Sequence, residues 1–307
     1  NESSAITTYG QINTWCTGTI TDMSELFEYK QTFNDDISNW DVSSVTNMER
    51  MFYDARTFNQ NIGSWDVSNV TNMYYMFGGA SVFNGDIDSW DVSSVTNMTL
   101  MFYGTDAFNQ PIGVWDVSNV TSMNAMFKFD LNTVPAFNQP LNNWDVSSVT
   151  DMDQMFNGHD TFNQPINSWD VSNVIDMSNM FWYNSGFNQN IGSWDVSSVT
   201  NMSWMFREAT AFNNGGVTGI GSWNVSGVID MSYMFEGATS FNQDIGAWDV
   251  SSVLNRNNMR YMFNRATIFN QDLTGWCVTL VTPEPIDFSA SSALTSANKP
   301  VWGTCPP

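Results

Sequence analysis

The 307-residue chain is poor in the residue types on which most chemistry depends. Its only histidine, His159, sits in the stretch Asn157-Gly158-His159-Asp160 with no cysteine nearby and no Ser/His/Asp grouping. No nucleophile–base pair is evident, so the chain reads as non-catalytic and His159 as a surface residue of no special role. Cationic side chains are scarce as well: nine Lys and Arg stand against 31 Asp and Glu, a net charge of -22. That balance repels nucleic acid and anionic lipid and suits cations or basic surfaces. No apolar run approaches the roughly 18 residues a membrane helix needs, so direct membrane insertion is not expected. The start at Asn1 and the end at Pro306-Pro307 fit a processed segment that has lost a signal peptide and a downstream domain.

Cysteine is limited to Cys16, Cys277 and Cys305, all near the ends. Cys277 and Cys305 are expected to pair, a loop whose closure contributes roughly 3–4 kcal/mol in the chain-entropy model. Cys16 lies ten repeats from Cys277, roughly 48 Å at sheet spacing and far beyond the ~7 Å Cα limit of a bridge. It is read as free, or as having lost its partner with upstream sequence. This cysteine usage favours an oxidising setting, extracellular or at the cell surface.

What the chain has in abundance is one sentence repeated. Trp40, Trp65, Trp90, Trp115, Trp144, Trp169, Trp194, Trp223, Trp248 and Trp276 each open a copy of a unit of about 25 residues. Such a period means stacked coils. The predicted fold class is a repeat solenoid, leucine-rich-repeat-like and α/β, of about eleven coils. A parallel sheet would line one face and short helices the other. Residues 1–11 read as the remnant of an N-terminal cap, 12–281 as a single solenoid and 282–307 as a C-terminal cap. Insertions at Lys128 to Pro135, Asn214 to Gly219 and Leu254 to Asn258 are expected to bulge from coil edges.

Within a coil, Trp40-x-Val42 alternates like a short strand, with Trp40 and Val42 inward and Asn39, Asp41 and Ser43 outward. Met48, Met51, Phe52 and Ala55 recur at i, i+3, i+4 and i+7, the stripe of a short helix capped by Thr46-Asn47. The methionines read as core filler, and the Phe-Asn pairs, from Phe33-Asn34 to Phe269-Asn270, as an inward ring with a turn-satisfying amide.

The units Phe241 to Val253 and Val45 to Phe52 resemble the 25–26-residue repeat of BspA-like leucine-rich-repeat surface proteins and mycoplasma-type lipoproteins. The resemblance covers Ile12 to Val278, and Lys299 to Cys305 is similar to the cap of the secreted members. It implies a surface or secreted protein used in adhesion, and it carries over no catalytic residue.

Two outward groups are candidate sites. Asp41, Asp66, Asp91, Asp116, Asp145, Asp170, Asp195 and Asp249 form a column in which carboxylates about 5 Å apart repel by roughly 0.8 kcal/mol even in water. Calcium bridging between coils is one compensation. Hydrogen bonds from the following turn are the other, favoured because one Asp per coil is a sparse ligand set. Variation between copies concentrates at Tyr74, Tyr75, Trp182, Tyr183, Trp204, Tyr233 and Tyr261, large rings on the predicted outer face. These are candidates for binding a protein or glycan surface. The alternative is that they lean onto the next coil and extend the core. Sequons at Asn1, Asn69, Asn97, Asn119, Asn201 and Asn224 would matter only in a glycosylating host.

The expected function is therefore adhesion or recognition by a rigid, non-catalytic surface. Alternatives are a structural building block of an extracellular assembly that self-associates, and a calcium-stabilised scaffold.

Overall fold

The computed structural model describes residues 7–129 and 133–306. The insertion after Lys128 lies partly, and the sequon at Asn1 and the first half of the N-terminal cap lie wholly, outside the described residues. Two compact units, Asn1–Asp145 and Val146–Pro307, each consist of tandem coils of about 25 residues.

The coil differs from the expected strand and helix, for a reason visible in its hydrogen bonds. In Met48 to Ala55, the N–H groups of Met48, Arg50, Phe52 and Asp54 donate to Asn72, Tyr74, Met76 and Gly78 of the following coil at 2.8–3.0 Å. The N–H groups between them, on Met51, Tyr53 and Ala55, close local turns onto Met48, Arg50 and Phe52. Half the donors thus leave the segment, and no i→i−4 ladder forms. Aiming alternate groups out of the coil requires the left-handed conformation at every fourth residue: φ is 53° at Arg50 and 56° at Asp54. The same pair recurs at Tyr75/Gly79, Leu100/Gly104, Asn179/Tyr183, Trp204/Glu208, Tyr233/Gly237 and Tyr261/Arg265. Among the described residues the Trp-x-Val segment makes no inter-coil ladder either. Among the described residues coils meet in isolated parallel bridges, Asp22 to Asn47 to Asn72 to Asn97 to Ser122 in one unit and Asp151 to Asp176 to Asn201 to Asp230 in the other. Short 3₁₀ turns occur at the insertions, at Asn214–Gly216 and Arg256–Met259.

The inward residues are those expected. Trp40, Val42, Met48, Met51, Phe52 and Ala55 are buried, as are their counterparts in the coils that follow. Two phenylalanine stacks run through the first unit: Phe27, Phe52, Phe77, Phe102 and Phe127 at 5.5–5.8 Å, beside Phe33, Phe58, Phe83, Phe108 and Phe137 at 5.8–6.1 Å. Stacked rings contribute ~0.5–1.5 kcal/mol per pair beyond their buried area. A buried indole N–H needs an acceptor, and many of the repeat tryptophans find it in the isoleucine carbonyl one coil earlier, as in Trp65 on Ile37, Trp90 on Ile62 and Trp248 on Ile220. The Phe-Asn asparagines form the expected ladder, each Oδ1 accepting the N–H of the next asparagine, as in Asn34, Asn59, Asn84 and Asn109.

The C-terminal segment continues this pattern. Tyr261, Phe263 and Arg265 donate to Ile286, Phe288 and Ala290, and Val278 to Thr304. Phe288 lies edge-on to Phe263, Trp276 and Trp302, and the Cys277–Cys305 disulfide ties the end down. Cys16 is free and exposed.

The left-handed positions yield a comparative prediction. Gly104 has φ 60°, and an added Cβ would meet only the Gly79 backbone at 4.0 Å, an ordinary contact, so Gly104→Ala should cost only the conformational penalty, ~1–2 kcal/mol. Gly237, at φ 69°, faces the carboxylate of Glu208, and Gly237→Ala should cost more because it also displaces that side chain. Urea denaturation of the two variants checks the order; equal losses would mean that the Glu208 contact is irrelevant.

Candidate functional site

The seven outer-face aromatics fall into two clusters, one in each unit, and all are half-buried. Their backbone is set by the coil: Tyr75, Trp204, Tyr233 and Tyr261 fill the first left-handed position and Tyr183 the second, with φ between 55° and 65°. In the first unit, Tyr75 lies 5.2 Å from Tyr74, 4.9 Å from Tyr53 and 5.7 Å from Tyr103. Burial and the neighbouring phenols push the Tyr75 hydroxyl up to about 12, so it is a neutral donor at physiological pH.

In the second unit the rings form a run over four successive coils. Trp182 meets Trp204 at 5.0 Å, Trp204 meets Tyr233 at 4.3 Å and Tyr233 stacks on Tyr261 at 4.8 Å, with Tyr183 5.5 Å from Trp182. The rings do lean from coil to coil, as the core-extending alternative requires, yet they keep part of their surface in solvent. Four of the nine basic residues, Arg207, Arg256, Arg260 and Arg265, lie in the stretch 207–265. The guanidinium of Arg207 sits 4.3 Å over Trp204 and within 5.7 Å of Trp182 and Tyr233, anchored by Glu236. Arg265 bridges Glu208 and Glu236. Arg260 lies 5.4 Å over Tyr233, is exposed, and makes no ion pair among the described residues. Reading the sequence for large rings missed these cations, although Arg207 and Arg260 occupy the same variable slots.

The aspartate column points outward as expected, and its serines turn onto it. Ser43, Ser68, Ser93 and Ser118 each give a hydroxyl at 2.6 Å and an N–H at 3.1 Å to the Asp two residues earlier. Asp170, Asp195 and Asp249 accept the N–H of Ser172, Ser197 and Ser251, and Asp145 occupies the same exposed slot. The serine hydroxyl, then the N–H, hold Asp41, Asp66, Asp116, Asp170, Asp195 and Asp249 below the ordinary carboxylate range. Repulsion from the adjacent coil opposes this only at Asp66 and Asp170 and is the smallest cause. Among the described residues no group of three or more His, Cys, Asp or Glu is arranged to hold a metal ion.

His159 is not a surface residue. It is fully buried in the slot that holds Ala55, Ala80 and Ala209 in other coils, edge-on to Phe156 and Phe162 at 6.2 and 5.9 Å. Desolvation pushes the imidazole down from 6.5 to about 3, so it folds neutral.

This chain belongs to the family described as Mycoplasma protein of unknown function, DUF285, which it matches in five overlapping stretches, residues 2–110, 64–130, 83–147, 129–216 and 215–302. No curated protein matches it. Among solved structures, the protein of a TLR13–ssRNA13 complex is 8% identical with a TM-score of 0.16, over 85% of this chain, which spans about half the length of that one. At that level neither fold nor ligand transfers.

Two outcomes follow from the titrating groups. The unfolded chain protonates His159 as pH falls through about 6.5 while the folded chain does not, so stability drops as pH is lowered, with a slope that approaches about 1.4 kcal/mol per unit by pH 5. Between pH 6.5 and 5, above the carboxylate range, His159→Ala should flatten the melting curve's pH dependence; an unchanged slope would place its origin elsewhere. With the column carboxylates engaged by their own serines, melting temperatures in calcium and in chelator should agree within about 1 °C. A rise of several degrees in calcium would show the column taking up the ion.

Proposed function

We propose that this chain is a non-catalytic recognition protein, displayed outside the cell in the manner of BspA-like leucine-rich-repeat surface proteins, whose aromatic outer face binds a protein or glycan surface. The observation that carries the reading is the run Trp182, Trp204, Tyr233 and Tyr261 with the exposed Arg260, which makes no ion pair among the described residues, at its edge. Amphipathic rings provide apolar area at little entropic cost, and their polar tips orient a ligand. A guanidinium over an aromatic face adds a site for a carboxylate, sulfate or peptide carbonyl. The surrounding net charge of -22 favours a ligand surface that is on the whole basic or neutral. The disulfide at the C-terminal end suits an oxidising compartment. No chemistry is asked of the site, because the coils supply polar decoration without a convergent nucleophile and base.

A glycan-array and host-surface binding screen of the 307-residue chain tests this directly. Saturable binding should fall at least ~10-fold when Trp182, Tyr183 and Trp204 are replaced together by alanine. Arg260→Ala, at an exposed position that the fold does not need, should weaken the same binding. Unaffected binding by both folded variants would put the ligand on another face.

A further inference from the structure

The two ends of the chain carry matching halves of one hydrogen-bond pattern. Inside each unit, the first left-handed residue of a coil and the residues two and four beyond it donate N–H to the next coil, as Glu25, Phe27 and Tyr29 do to Glu49, Met51 and Tyr53. The carbonyls that would receive such donors on the first coil are those of Ser24, Leu26 and Glu28, and among the described residues nothing donates to them. At the other end, the C-terminal segment does not terminate the pattern but copies it. Asp287 and Ser291 are left-handed at φ 48° and 59°, as Glu25 and Tyr29 are at 57°. Ile286, Phe288 and Ala290 accept from the preceding coil, which leaves the N–H groups of Asp287, Ser289 and Ser291 facing outward without an acceptor among the described residues. Three donors at one end thus match three acceptors at the other in spacing and conformation. A fourth contact is blocked because Pro285 stands where the further donor would be.

The side chains at these ends agree. The first coil leaves a cavity of about 1010 Å³ lined by Trp15, Leu26, Phe27, Tyr29, Phe33 and Trp40, with Leu26 44% exposed. Leu26 occupies the slot that holds the fully buried Met51 and Met76 in the coils that follow. Ile286, beside the outward donors, is 48% exposed. Exposed edges of unpaired backbone groups are templates for another chain unless they are blocked by proline, charge or a covering segment. Two N-terminal faces cannot pair with each other, because both present acceptors.

We infer that the chain associates head to tail with a second copy of itself, the C-terminal cap of one seated on the open first coil of the next through Asp287, Ser289 and Ser291 N–H to Ser24, Leu26 and Glu28 C=O. The contact is heterologous and leaves the same two faces free at the ends of the pair, so it repeats. Each copy carries a charge of -22, so association is opposed at low ionic strength and strengthens as salt screens the repulsion.

Sedimentation of the full chain carrying Cys16→Ser, which removes disulfide-linked dimers from account, provides the test. In about 0.5 M salt, where the screening length is below 10 Å, the mass should rise with concentration to multiples of one chain, and in dilute buffer it should fall towards one. Leu26→Glu and Ile286→Glu change exposed residues at opposite ends, and each should remain monomeric with the parent's circular dichroism. Mixed in equal amounts they should form a dimer that stops at two, because each retains the face the other has lost. A monomeric parent at high concentration and salt overturns the proposal, as does a mixture that stays monomeric. Association only after removal of residues 1–6 also overturns it, because the face would then belong to the chain's own N-terminal residues.

Discussion

The coil depends on one constraint: every second N–H of the segment from Met48 to Ala55, and of counterparts such as Met73 to Ala80 and Met202 to Ala209, is given to the neighbouring coil. A backbone that surrenders half its donors cannot keep a helical ladder, and it can aim those donors along the stacking direction only by entering the left-handed region at every fourth residue. For a non-glycine residue that conformation costs roughly 1–2 kcal/mol. The cost is borne in coil after coil because it satisfies the groups that would otherwise be stranded beside the methionine and phenylalanine core. Glycine relieves it at the second position in Gly79, Gly104, Gly158 and Gly237, whereas the first position holds side chains such as Tyr75, Trp204 and Tyr233.

The candidate site is a by-product of the same geometry. The core takes two residues of every four from this segment, and the two that remain point away from it. Since those positions do not pack the interior, they are free to differ between coils, and the stacking period brings any rings placed there to 4.3–5.0 Å of each other in the run from Trp182 to Tyr261. Arg207 and its partner Glu236 fasten that run from above. A stacked scaffold thereby turns a repeat in sequence into a row on a surface, which is the form a recognition face requires.

Membership of the DUF285 family agrees with the repeat read from the tryptophans, and the buried positions were likewise legible. The conformation that buries them was not. Over Met48, Met51, Phe52 and Ala55, a helix of 3.6 residues per turn and a run of four-residue turns place the same residues inward, and only a longer segment would separate the two periods. His159 was misplaced for a related reason: the slot three residues after Phe156 holds alanine in most other coils, and a polar residue there reads as surface until the phenylalanine stack is seen to enclose it. The aspartates were legible as a column, and their serine partners lay two residues away in the sequence, a short-range turn that needs no tertiary contact.

The sequence by itself determined the period, the recurrent apolar inward residues, the pairing of Cys277 with Cys305 and the negative charge, because each follows from local residue type or from recurrence along the chain. Only the tertiary structure decided where the hydrogen bonds go, and with them the left-handed residues, the contact between Arg207 and the indoles, and the backbone groups at the two ends that have no partner among the described residues. Those features join residues about 25 positions apart, and a backbone donor carries no side-chain signature to reveal whether its acceptor lies in its own coil or in the next.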